Sequence, residues 1–200
     1  TRSAATRLDL GAPVGAVALS WDGTYAAAAA GAAVRVVHAQ AGSTIEAHDL
    51  HASAVTALSL DRGLVVSGAA DGEVIARDLR TSNATRLRGH AGAVRAVALE
   101  DDDRLHVLTI GADGTVRRWE LSAEREVGRE VGRRALPPMI GAWLSPGLAR
   151  AVTGHADGAL RVHDTADLPG GGEALALPGP ATRVVAVDPA GEVVLALVVL

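Results

Sequence analysis

The side chains best equipped for chemistry in this chain are its histidines and clustered carboxylates. His48 and His51 lie three positions apart, His155 stands two before Asp157, and His163 adjoins Asp164. Such pairs could ligate a metal ion, but a protein metal site draws on three or four convergent donors. No third donor follows at a regular interval. His51 and His163 therefore read as structural residues and His155 as a turn residue. Asp101-Asp102-Asp103 could hold a cation or move a proton; lying between two apolar runs, it reads as a solvated hairpin tip. Gly170-Gly171-Gly172 lacks a following Lys and a strand-to-helix setting, so it is no phosphate cradle. The absence of cysteine excludes thiolate nucleophiles, disulfides and Cys-based zinc sites. The expectation is of no catalytic residue, no metal and no cofactor.

The elements that would position these groups are bounded by composition. Two hundred residues make one domain or a piece of a larger one. A hydrophobic content of 48% excludes a disordered chain. Aromatics are 2%, with no Phe, so the core must be built from Ala, Val and Leu. The 19 basic residues are all Arg and face 23 acidic ones, for a net charge of −4. That balance argues against nucleic acid or an anionic membrane as partner, either of which favours a basic excess. The Arg-only usage reads as codon bias. The final apolar run, 192–200, is far shorter than the ~20 residues of a membrane span and reads as a buried strand. The chain starts at Thr1 and is read as part of a longer protein.

Three segments align without gaps: SGAADGEVIARD from Ser67, TIGADGTVRRWE from Thr109 and TGHADGALRVHD from Thr153. In each, a hydroxyl precedes an Asp-Gly pair by four residues and an alternating apolar run follows. Arg77, Trp119 and His163 occupy one shared position, each followed by an acid. A weaker copy has Val34 to His38 in register with Val74 to Asp78, with Ala27 and Gly31 in place of hydroxyl and Asp. This register makes the alanine run 26–33 a strand, against its helical propensity. Each copy is preceded by an apolar segment: Val14–Leu19, Val55–Leu60, Val94–Leu99 and Ile140–Leu144, with a fifth at Val184–Val187. Polar turns such as Ser20-Trp21-Asp22-Gly23 follow them. Fourth strands are read at Thr44–Ala47, Ala84–Leu87 and Glu173–Leu177, and a leading one at Ala5–Leu8. Four short strands repeating at roughly 40 residues is the period of a propeller blade.

In Gly89-His90, Thr109, Asp113 and Trp119-Glu120 the sequence resembles the WD-repeat β-propeller family, in a divergent bacterial type. The resemblance implies an all-β fold of four-stranded antiparallel blades at about 11–50, 51–88, 89–136 and 137–178, with partial blades at 1–10 and 179–200. It implies a larger ring, usually of seven blades, completed by the same longer chain or another chain. It also implies a hydrogen-bonded tetrad of His90, Thr109, Asp113 and Trp119. Partial tetrads are expected at His51, Ser67 and Asp71, and at Thr153 and Asp157 with Leu136 near the missing His.

The implied role is a non-catalytic, cytoplasmic scaffold for protein partners of unknown identity. The alternatives are a regulatory module fused to a kinase or NTPase and, further off, a propeller hydrolase with a central cation. Thr56, Glu73, Arg95, Thr115 and Arg183 are the polar candidates for partner contact on the face bearing the Asp turns. Arg125–Arg134, containing REVGREVG, reads as a charged outer strand or loop, or else a docking insertion. Arg117-Arg118 should present one charge to solvent, Trp143 should be core, and Trp21 and Tyr25 are candidates for exposed contacts.

Overall fold

The computed structural model describes residues 9–100, 105–122, 127–144, 150–155, 157, 159–165, 173–176, 183–187 and 194–197. The readings placed on Ala5–Leu8, Asp101–Asp103 and Gly170–Gly172 lie outside these residues. Every described element of regular structure is a strand. The first sheet is β1 (Val14–Leu19), β2 (Tyr25–Ala30), β3 (Ala33–His38) and β4 (Thr44–His48). The second is β5 (Val55–Asp61), β6 (Leu64–Ala69), β7 (Val74–Asp78) and β8 (Ala84–Leu87). The third is β9 (Val94–Leu99), β10 (His106–Gly111), β11 (Thr115–Glu120) and β12 (Arg129–Ala135). The fourth is β13 (Gly141–Leu144), β14 (Arg150–Gly154), β15 (Ala159–Asp164) and β16 (Glu173–Ala176), and a pair follows, β17 (Arg183–Val187) with β18 (Val194–Leu197). Within each sheet sequential strands pair antiparallel. The first strands of successive sheets lie beside one another, β1 to β5 to β9 to β13 to β17.

Strand alternation explains how one strand serves two interfaces. In β6, Val65 turns back to Ala27, Val34 and Val36 of the first sheet. Leu64 and Val66 turn forward to Val97, Val107 and Trp119 of the third. In β10, Leu108 and Ile110 then meet Leu136, Leu144 and Ala151. The central strands β6 and β10 are covered on both faces, and β2 buries Ala27 and Ala29 against the second sheet, so the tertiary setting overrides propensity and Tyr25–Ala30 is extended. The other face of β1 carries no described sheet. Val17 and Leu19 are 71% and 62% exposed there, against 7% and 5% for Val97 and Leu99, which repeat them in β9.

Several details differ from the sequence reading. Tyr25 packs on the first interface and meets the His38 ring edge-on. Trp21, by contrast, is 79% exposed, as the sequence reading expected. Trp143 is half-buried, not a core residue. Arg117 is buried and Arg118 half-buried against Glu100, so neither is a solvent-facing charge. The second half of the charged tandem forms β12, the outer strand of the third sheet, and Val127 bridges to Arg86 at the edge of the second.

Sheet spacing depends on Gly68, where a Cβ would lie 2.6 Å from Val94 Cβ. Gly68→Ala should therefore force the second and third sheets apart and cost about 1–3 kcal/mol. The urea midpoint should fall while the slope of the transition stays unchanged.

Candidate functional site

The polar centre of the third sheet is assembled from four places. Thr109 lies in β10 and Trp119 in β11; His90 precedes β9 and Asp113 lies in the β10–β11 turn. Gly114, at φ +74°, lets that turn close. Trp119 Nε1–H donates to Thr109 Oγ1 at 2.8 Å, and Thr109 Oγ1 lies 2.8 Å from His90 Nε2. His90 Nδ1 lies 3.0 and 3.1 Å from the two Asp113 oxygens. The Asp113 carboxylate can only accept, so His90 holds its proton on Nδ1; its bare Nε2 accepts the threonine hydrogen, and the indole N–H fills a threonine lone pair. The imidazole is neutral, in keeping with burial, which lowers its pKa despite Asp113.

Asp113 is doubly held. Burial works against its charge, but the Ala91 and Thr115 backbone N–H groups, the Thr115 hydroxyl and His90 hold its pKa at about 2. The buried Arg117 guanidinium caps it, reaching Asp113 Oδ2 at 3.4 Å and Glu130 Oε2 at 2.7 Å. Two glycines make the room. A Cβ on Gly89 would strike Arg117, and one on Gly111 would strike His90 and lie 2.6 Å from Asp113 Oδ1.

The second unit departs from this arrangement. His51 Nε2 meets Ser67 Oγ at 2.7 Å, but Asp71 does not reach His51. Asp71 is exposed and accepts only from the Glu73 backbone N–H of its own turn. Glu73 stands where Thr115 stands in the third unit, and its carboxylate comes within 4.0 Å of His51 Nδ1. A second carboxylate at the same imidazole would be repelled. Arg77 replaces the indole and turns to Glu46 of the first sheet at 2.6 Å.

In the fourth unit the imidazole comes from an unexpected position. His155 is 2% exposed and is no turn residue. Its Nε2 lies 2.7 Å from Thr153 Oγ1, its Nδ1 lies 2.5 Å from Pro138 O, and His163 Nε2 meets the same hydroxyl at 2.8 Å. His155 occupies the position of Gly111 in the aligned repeats, so it fills with its own ring the space that Gly111 leaves for His90. That alignment was the available signal. Leu136 packs in the core, and Asp157, excluded from the network, pairs with Arg161 at 2.7 Å. Burial and the nearby Arg134 and His155 hold the His163 pKa at about 4.

The first unit has no polar centre. Register puts Ala28, not Ala27, opposite Val17, as Ser67 and Thr109 stand opposite Leu58 and Val97. Its turn is a residue shorter, closing at Ala30 and Ala33 around Gly31.

The expected partner residues do not form one set. The Thr56 hydroxyl donates to Val94 O at 2.6 Å, Thr115 serves the tetrad, and Glu73 pairs with Arg86 at 2.7 Å and Arg88 at 3.2 Å. Arg95 is exposed on the inner strand β9, and the side chain of Arg183 lies outside the described residues. Sequence reasoning missed a cleft of about 630 Å³ between the second and third units, lined by Asp71, Gly72, Glu73, Arg86, Arg88 and His90. Among the described residues no three His, Asp or Glu side chains are grouped to hold a metal ion.

Stacked four-stranded antiparallel sheets, with a His–Thr–Asp–Trp network tying one of them, make this an all-β chain with the architecture of a partial WD-repeat β-propeller. Residues 81–120 match the family model described as "WD domain, G-beta repeat", and that stretch contains all four tetrad residues. Similar proteins include "Mitochondrial division protein 1" of Neosartorya fischeri, 36% identical over 96 residues, and that of Pyricularia oryzae, 36% over 89. The Neurospora crassa protein of the same name is 34% identical over 88. The matches cover 42–46% of this chain, which spans only 13–14% of the relatives' length. These relatives are fungal and give no support to a bacterial type.

The two turn aspartates should separate in a stability measurement. Asp113→Ala should cost about 1–3 kcal/mol, because His90 and two backbone N–H groups lose their acceptor. Asp71→Ala should stay within about 0.5 kcal/mol, as for an ordinary surface change. Urea unfolding at pH 7 compares them directly.

Proposed function

We propose that this chain is a non-catalytic docking scaffold, which binds protein partners on the face carrying the Asp-Gly turns. One observation carries the reading: the cleft of about 630 Å³ between the second and third units opens among two Arg and two acidic side chains. Arg88 is 70% exposed, and Asp71 is exposed with one bond to its own turn. These groups can engage a partner chain without dismantling the tetrad beside them. Stacked sheets hold such loops in fixed relation, which suits recognition. The presence of a WD repeat, a module that commonly mediates protein association, supports the same reading. The name that the fungal relatives carry makes mitochondrial division a first process in which to seek a partner.

The test is a double substitution, Asp71→Ala with Arg88→Ala. A partner cross-linked to the wild-type chain and then purified should bind the variant at least tenfold more weakly, a loss of about 1.4 kcal/mol. The melting temperature should not move. Equal affinity for both chains would place docking elsewhere and overturn the reading.

A further inference from the structure

His48 closes β4 against the second sheet, is 7% exposed, and has no hydrogen-bond partner at either ring nitrogen. A buried imidazole without partners is costly, and an aliphatic side chain would fill the place more favourably. Its neighbours suggest what the ring does. Strand alternation puts Glu46 and His48 on one face of β4, opposite Val36 and Val34 of β3. From that face Glu46 crosses to the second sheet, accepting from Arg77 Nη2 at 2.6 Å and Nε at 2.9 Å. Both side chains of this pair are largely buried. Arg77 stands in the position that Trp119 holds in the third sheet, so an ion pair between sheets replaces a hydrogen bond within one.

We propose that the joint between the first and second sheets is an acid-released clasp, in which Glu46 exchanges Arg77 for His48. The charged and titratable groups around His48 are Arg77 from β7, Glu46 and Asp49 from its own segment, and His51 ahead of β5. His51 in turn faces Glu73, Asp71 and Arg86. Asp49 is exposed and already pairs with Arg35 at 3.2 Å. Glu46 is thus the carboxylate that an imidazolium at position 48 can reach within the joint. Protonation gives His48 two N–H donors and a charge beside Arg77, so the two cations compete for one carboxylate and repel each other.

Burial, and next Arg77, hold the His48 pKa at about 4, below the 6.5 of the unfolded chain. The stabilising effect of a neutral ring is complete above pH 6.5 and is lost as the pH falls from 6.5 towards 4. Within that window the opening equilibrium of the joint can shift up to about tenfold per pH unit.

Amide hydrogen exchange, corrected for intrinsic rates, reads the joint at β2 and β3. In the wild-type chain their protection should fall at least tenfold between pH 6.5 and 4.5. His48→Leu and the polar, non-titrating His48→Gln should hold it nearly level across that range. Arg77→Met should give low protection at both ends. A wild-type chain without the decline, or either His48 variant with the decline intact, overturns the proposal. The readout is independent of partner binding, so its failure leaves the docking reading standing.

Discussion

Burying a polar group between two covered faces is the constraint on which the rest of this structure depends. In a stack of sheets the middle strands see no water, so a hydroxyl there must find its partners inside the protein. Thr109, Ser67 and Thr153 each pose this problem at one register position, and the chain solves it in three ways. The third unit brings an indole, an imidazole and a carboxylate to Thr109. The second brings only an imidazole to Ser67, whose hydroxyl lies 3.3 Å from Ile75 O. The fourth brings two imidazoles to Thr153. Where the first unit has Ala28 the problem does not arise, and neither does the network.

Small side chains and ion pairs divide the remaining work. Ala27, Ala29, Ala96 and Ala98 bury little area each, but they let neighbouring sheets approach closely. Contacts that larger apolar residues would make are replaced between sheets by Glu46–Arg77 and within them by Arg118–Glu100 and Arg117–Glu130. Such partly buried pairs hold register more than they add stability, since charges taken from water recover their desolvation only with good geometry. Arginine suits them because its planar fork bonds two acceptors at once. Arg117 does so between Asp113 and Glu130.

The period was legible in the sequence, and with it every described sheet. The gapless alignment from Ser67, Thr109 and Thr153 placed β6, β10 and β14, and the weaker copy at Val34 to His38 overrode the helical preference of the alanine run. What it hid were changes that leave spacing intact but alter who reaches whom. Asp71 keeps its place yet loses its imidazole, because Glu73 introduces a nearer carboxylate. His155 keeps the spacing of a turn but carries a ring into the core. The one-residue shortening of the first turn shifted the comparison from Ala28 to Ala27, an error that strand pairing corrects and an ungapped comparison cannot. The cleft beside Arg88 was out of reach too, since it depends on how two units stack.

The direction of hydrogen bonding in these networks has a consequence that residue identity alone does not disclose. In the third unit it is fixed at its end, because the Asp113 carboxylate can only accept, and it runs there from the Trp119 indole through Thr109 and His90. In the fourth it is likewise fixed at its end, because Pro138 O can only accept, so His155 holds its proton on Nδ1. Its Nε2 then accepts from Thr153, and His163 must donate from its own Nε2, the role of the indole. Both networks therefore run the same way, from β11 or β15 into the middle strand and out to a loop. They differ in their last acceptor. Asp113 carries a full charge that favours a proton on His90, whereas Pro138 offers a dipole beside His155. A histidine in the tryptophan position thus preserves the connectivity of the repeat, because its Nε2–H supplies the donor that the indole N–H supplies in the third unit.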